Sequence, residues 1–251
     1  MRIVVNHLTR MRRGYICAAG INLANGEHVR PLPRNGDLRY RDLAAHGGLL
    51  EVGAVLDLGT TKPIGRAPEI EDTEFFKRSV RTRPDMEAAE FWTRMKSTAK
   101  PTLIELFGRD LHEVGHAHAA VDVGHGERSL GMLIITKSRP ELVIEPRQPR
   151  PPLRMHLQTG RIPLSVAVTD IRLYGPDHIT PDPDAVATAN ERLTSSAEVL
   201  LSVGLSRPYC DWLSNEPERH WLQINNLHFV ETPYWRLPSG PEPTSLCAQS
   251  P

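Results

Sequence analysis

An Asn25-Gly26 pair lies between two apolar-rich runs near the start of this 251-residue chain. In that setting Asn-Gly is the strongest short-range signal for a β-hairpin, because both central residues of a type I′ turn need positive φ. Residues 15–24 and 27–32 are therefore expected to pair as strands, with residues 2–8 as a third. Counting back from the turn sets Leu23 opposite His28, Ile21 opposite Arg30 and Ala19 opposite Leu32. Opposed residues share a face, so Arg30 points to the same, more apolar side as Tyr15, Cys17, Ile21, Leu23 and Leu32. The 22 prolines and 18 glycines cut the rest of the chain into short pieces, which suits a β-dominated fold.

The charge is unevenly placed. The first 41 residues hold eight arginines against two acids, whereas the whole chain balances 30 basic against 30 acidic residues. A neutral protein with positive charge gathered at one end favours an anionic partner. With 39% hydrophobic residues and no apolar run of bilayer length, a soluble chain is expected. The opening Met-Arg-Ile-Val-Val-Asn-His has no apolar signal core. Cys17, Cys210 and Cys247 are widely spaced and lack any CxxC, so a reduced cytoplasm is expected.

Strand-like segments fall at residues 3–8, 15–23, 28–32, 52–58, 130–136 and 142–144. Ala88, Phe91, Trp92 and Met95 have helical spacing, with Asp85 placed as cap and Pro101 as stop. Thr102 and Glu105 have capping-box spacing, and Gly108 ends that shorter helix. Residues 146–152, Pro-Arg-Gln-Pro-Arg-Pro-Pro, read as a linker between two units. The first unit is residues 1–145 with a helical insertion at about 84–108, and the second is residues 153–237. The second holds strands at 153–157, 162–168, 199–205 and 220–229. Its helix starts at Asp182-Pro183 and turns Val186, Ala189 and Leu193 inward. Residues 238–251 read as a disordered tail. Strands, a helix and more strands in each half suit two tandem small β-barrels of the OB type.

Three groups of residues carry the functional expectations. Arg10, Arg12 and Arg13 lie in the first inter-strand connection, where a fixed guanidinium fork suits phosphate. Arg30, on the apolar side of the hairpin, needs a bound anion or an internal carboxylate such as Glu51 or Asp57. In the strand His-Trp-Leu-Gln-Ile-Asn-Asn, Trp221, Gln223 and Asn225 face one side and His220 the other. An indole beside carboxamides suits stacking on a nucleobase and reading its edge.

His112-Glu113-Val114-Gly115-His116 matches HExxH. On a helix the two histidines would bind zinc and the glutamate would act as base, with Asp122 spaced as a third ligand. The nearby Gly108, Gly115, Gly124 and Gly126 argue against a well-formed helix there, so a zinc hydrolase is the alternative reading.

The opening Arg-Ile-Val-Val-Asn-His-Leu-Thr-Arg-Met, then Gly-Tyr-Ile-Cys-Ala-Ala-Gly-Ile-Asn and Val-Arg-Pro-Leu, resembles the prokaryotic dual OB-containing domain family. Ser129-Leu130-Gly131, Val168-Thr169-Asp170, residues 199–205 and the His220–Asn225 stretch are similar in the same order. The resemblance implies two OB barrels in tandem and a role in binding nucleic acid or nucleotides, and the whole sequence reads as a non-catalytic binder with no cofactor. Matching positions are Thr9, Arg10, Arg30, Pro31, Asp170, His220, Trp221 and Gln223. The HEVGH run is no part of that family pattern.

Overall fold

The computed structural model describes residues 1–84, 86–115, 117–135, 139–146, 152–159, 162–210 and 217–234. Asp85, His116, most of the proline-rich 146–152 segment and the tail at 238–251 lie outside the described residues. The structure is β-dominated, with curled sheets.

The first sheet holds β1 (Arg2–Arg10), β2 (Ile16–Asn22), β3 (His28–Pro33), β4 (Val55–Asp57), β5 (Thr61–Pro63), β6 (Asp72–Phe75) and β7 (Arg81–Thr82). Their order is β5-β6-β3-β2-β1-β4-β7. The hairpin forms, but Ile21 pairs with His28, two residues away from the expected register. Gly26 takes φ 76° while Asn25 does not take positive φ, so no type I′ turn closes it. Instead Asn22 receives the amide of Gly26 and donates its own to Glu27, both at 2.8 Å, which leaves a wider loop. A slip of two preserves the faces. Arg30 still lies on the side of Cys17 and Ile21.

Helix α1 (Ala88–Thr98) follows, burying Phe91, Trp92 and Met95 at the expected spacing. The second sheet comprises β8 (Ala99–Lys100), β9 (His112–Val114), β10 (His118–Asp122), β11 (Leu130–Ile135), β12 (Glu141–Ile144), β13 (Leu153–Thr159), β14 (Ile162–Val168), β15 (Val199–Leu205) and β16 (Arg219–Phe229). Its order is β12-β13-β14-β16-β15-β11-β8, with β10 on β16 and β9 on β10. In helix α2 (Leu103–Phe107) the Thr102 hydroxyl accepts from the Glu105 amide at 3.2 Å, and Gly108 stands at the C-cap. In helix α3 (Pro183–Ser195) the Asp182 carboxylate caps the Asp184 and Ala185 amides, and Val186, Ala189 and Leu193 are buried.

The chain passes from one sheet to the other between Thr82 and Ala99. Residues 146–152 join β12 to β13, which pair antiparallel within one sheet. The expected first unit, residues 1–145, thus draws its strands from both sheets.

Two apolar cores result. One gathers Ile3, Val4, Leu8, Leu56, Phe91 and Met95, and is completed by Met132, Ile171 and Leu200 from the second half of the chain. The other is built from Phe107, Leu133, Met155, Val166, Leu201 and Phe229. Strand β1 is buried without interruption from Ile3 to Thr9, and β15 along its whole length. A strand covered on both faces loses the polar-out alternation of a surface strand, so its polar residues end up inside. Among the described residues no helix is long and apolar enough to cross a membrane.

Candidate ligand-binding seam

The two sheets meet along β1 and β16, and both strands carry a bulge. The β1–β2 register shifts between Val5 and His7, and the β15–β16 register shifts between Ser202 and Val203. A bulge leaves one residue unpaired and re-aims its side chain. The residues skipped are Asn6 and Asn225. Beside them, the Asn226 carboxamide takes the place of a missing strand partner, accepting from the Leu8 amide and donating to the Leu8 carbonyl. The next residue pair, Thr9 and Asp170, forms a direct β-bridge.

Polar groups line this seam. Parallel pairing of β3 with β6 puts Asp72 beside Arg30. Arg30 Nε donates to Asp72 Oδ1 at 2.6 Å, with side-chain exposures of only 6% and 7%. The expected internal partners of Arg30, Glu51 and Asp57, give way to this residue on a strand that the sequence reading missed. Asp72 Oδ2 accepts from Arg207, whose other nitrogen lies 3.2 Å from Glu69 Oε1. Glu71, from the same short segment, accepts from the Ser129 amide, the Leu130 amide and the Ser129 hydroxyl at 2.8–3.0 Å. The acidic run at 69–72 therefore ties the first sheet to the second.

Among the described residues, four buried polar atoms along this seam have no hydrogen-bond partner: Arg30 Nη2, His7 Nε2 and Asn6 Oδ1, and on β16 His228 Nδ1. Asn225 Nδ2 lies 3.1 Å from His7 Nδ1, while the Thr169 hydroxyl donates to Asn225 Oδ1 at 3.3 Å. Asn225 thus offers His7 a donor, which assigns the imidazole proton to Nε2. Burial, then His28, His228 and Arg30, pull the His7 pKa well down, so the ring is neutral near pH 7. Desolvation and then Arg128 pull partly buried His28 to about 4. Around Arg30, His7 and Asn6 the seam therefore presents two unused donors and one unused acceptor. Each unsatisfied buried group costs about 1–3 kcal/mol, and such groups in a folded protein call for a reason.

The structure brings Thr9, Arg30 and Asn225 together at this seam, with Asp170 bridged to Thr9 beside them, and commits most of the expected residues to contacts within the chain. The Thr9 hydroxyl donates to the Cys17 carbonyl at 3.4 Å. Arg10 donates to the His178 carbonyl at 2.8 Å and stacks over Tyr174 at 4.6 Å, which makes it an inter-sheet brace. Arg12 and Arg13 are exposed on the turn after β1. Asp170 is fully buried and bound by Arg172. His220 is buried, with Nδ1 3.0 Å from the Ser206 carbonyl and 3.5 Å from Glu69. The Trp221 indole donates to the Tyr209 carbonyl at 3.1 Å, and Gln223 is half-buried on the same strand.

Sequence reasoning missed His7, Asn6, Asp72, Glu71 and Arg207. A signal did exist for the first two. Asn6-His7 is a polar pair inside an otherwise apolar strand, as Asn225-Asn226 is in β16.

Of the HEVGH run, His112–Val114 form strand β9 and Gly115 turns after it at φ 60°, while His116 lies outside the described residues. Adjacent strand residues such as His112 and Glu113 point to opposite faces, so the one-face helical arrangement of a zinc protease is not formed. His112 Nε2 is 3.8 Å from Asp122. Among the described residues no group of three or more His, Cys, Asp or Glu side chains is arranged to hold a metal ion.

No family model, curated protein or solved structure matches this chain.

Proposed function

We propose that the protein is a non-catalytic nucleotide or single-stranded nucleic-acid binder that takes a base into the seam between its two sheets. The observation that carries this reading is the pair of buried, unpaired donors, Arg30 Nη2 and His7 Nε2. Arg30 is already charge-matched by Asp72 and the neighbouring histidines are neutral, so a hydrogen-bonding neutral group suits the site better than a phosphate. The Asn6 Oδ1 acceptor points the same way, because a base edge combines donors and acceptors whereas a phosphate only accepts. Two curled sheets that each combine strands with a helix support the OB-type reading within the same proposal.

Calorimetric titration with nucleosides, mononucleotides and short DNA and RNA oligomers at low salt tests the reading. Arg30→Lys keeps a cation for Asp72 but deletes Nη2, and is expected to weaken binding at least tenfold, about 1.4 kcal/mol. Failure of every one of these ligands to bind the native protein would remove the proposal.

A further inference from the structure

Strand polarity brings four strand ends to one edge of the first sheet. β1 and β2 run antiparallel, β2 and β3 run antiparallel, and β3 and β6 run parallel. The ends of β1, β3 and β6 and the start of β2 therefore lie together. The connections there carry exposed or half-exposed aromatic rings with arginines laid on them. The Arg39 guanidinium sits 4.7 Å over Tyr15, and Arg34 and Arg78 approach the Phe76 ring at 5.2 and 5.6 Å. Lys77 joins the two stacks into one surface, because its ammonium reaches both the Asp37 carbonyl and the Asp42 carboxylate at 2.8 Å.

The charge of this edge is lopsided. Residues 11–15, 34–42 and 74–79 hold seven basic and three acidic side chains, 7 − 3 = +4, in a chain whose total is zero. Two of the three acids already have cations, since Lys77 holds Asp42 and Arg34 lies 3.8 Å from Glu74. Arg12, Arg13, Arg39 and Arg78 are exposed. Arg30 stands four residues before Arg34 on the same strand and its exit, a span of about 13 Å at strand rise. That is a separation of about two nucleotides in an extended strand.

We propose that this arginine–aromatic ledge binds the backbone and flanking bases of a single-stranded nucleic acid, so that the protein's ligand is a strand and not a free nucleotide. This rests on the base-binding reading of the seam only for where one base sits. Flat guanidinium–aromatic stacks suit a nucleobase, which has a π-face of its own, and the surplus charge suits phosphates. An acidic peptide would use the charge and leave the rings unused.

The test compares a labelled 12-mer oligo-dT and oligo-U with thymidine and uridine monophosphates and with poly-glutamate. It uses the full chain and the variant Arg34→Ala/Arg78→Ala, with thermal melting as a folding control. The expected result is oligomer binding at least tenfold tighter than mononucleotide binding. The double variant should lose that advantage and flatten the slope of log affinity against log salt by about 1.4 for single strands, with mononucleotide affinity unchanged. Unaltered oligomer affinity in the double variant, or poly-glutamate binding as tight as the oligomers, would overturn the ledge. Mononucleotide binding that depends on Arg30, without any oligomer advantage, would sink the ledge and leave the seam standing. Oligomer binding that needs the ledge but is indifferent to Arg30→Lys would do the reverse.

Discussion

Among the described residues, two arginine–aspartate pairs are buried on both sides, and they are finished differently. Arg172 grips Asp170 through Nε and Nη2 at 2.9 and 2.7 Å, with side-chain exposures of 1% and 0%. Asp170 also accepts from the Arg172 and Leu227 amides, and Arg172 donates onward to the Leu227 carbonyl. That pair closes on itself and pins β16 to the turn at 171–173. Arg30 holds Asp72 through Nε, shares it with Arg207 and leaves Nη2 buried without a partner. Charge pairing inside a protein is costly unless the remaining polar atoms are satisfied. The closed pair meets that condition within the chain. The open pair leaves Arg30 Nη2 without that satisfaction.

Breaking the closed pair should have the largest effect on stability. Arg172→Met strands a buried carboxylate and is expected to cost about 3–5 kcal/mol, measured as a fall in the urea midpoint. Arg30→Lys should cost less, about 1–3 kcal/mol, because the ammonium keeps a charge for Asp72 while the Nε bond is lost and the unpartnered Nη2 goes, yet it should weaken ligand binding most. Equal destabilisation by the two variants would erase the distinction.

Acid should act through the buried histidines beside both pairs. Burial, then the Arg172 charge, pulls the His228 pKa to about 3, and His28 is held near 4. The unfolded chain binds these protons near pH 6.5, so it carries more protons than the folded chain below that value. The stability present above pH 6.5 should therefore fall as the pH drops toward 4 and 3, at up to about 1.4 kcal/mol per unit and per histidine. Urea titrations between pH 7.5 and 4 read this slope, and His228→Gln should flatten part of it.

Glu71→Gln loosens the tie between the sheets without touching either arginine. A carboxamide keeps one acceptor but turns an NH2 toward the Ser129–Leu130 donors, at an expected cost of about 2 kcal/mol. Asn225→Ala should leave stability closer to native but release the His7 tautomer. Nitrogen-15 shifts of the ring and an approximately tenfold affinity loss, about 1.4 kcal/mol, would show it. At the small end stands Arg94→Ala. It removes an exposed i,i+4 pair with Glu90, 2.8 Å apart, and should cost about 0.3–0.5 kcal/mol. A larger loss there would mean that burial is not what separates the pairs.

Elements with a local chemical signature were readable in advance. Helix α3 begins where Asp182-Pro183 says it must and buries the three residues its spacing selects. The Thr102 cap and the Gly108 stop define α2 in the same way. Strand β6 was not readable, because Asp72-Thr73-Glu74-Phe75 holds a single apolar residue at its end, and its pairing comes from β3, some forty residues away. The site was partly visible through Arg30, Thr9 and Asn225. Its other half, His7 and Asp72, depended on bulges and on a parallel pairing.

The sequence by itself determined the strand-rich character, the three helices and the face on which Arg30 lies, because these follow from turn residues, caps and periodicity within a few positions. Only the tertiary structure decided that Arg30 meets Asp72, that Asn6 and Asn225 become bulges, and that His112–Val114 form a strand. Those outcomes depend on register and on which surfaces two sheets cover, and both are set by contacts between residues far apart in the chain.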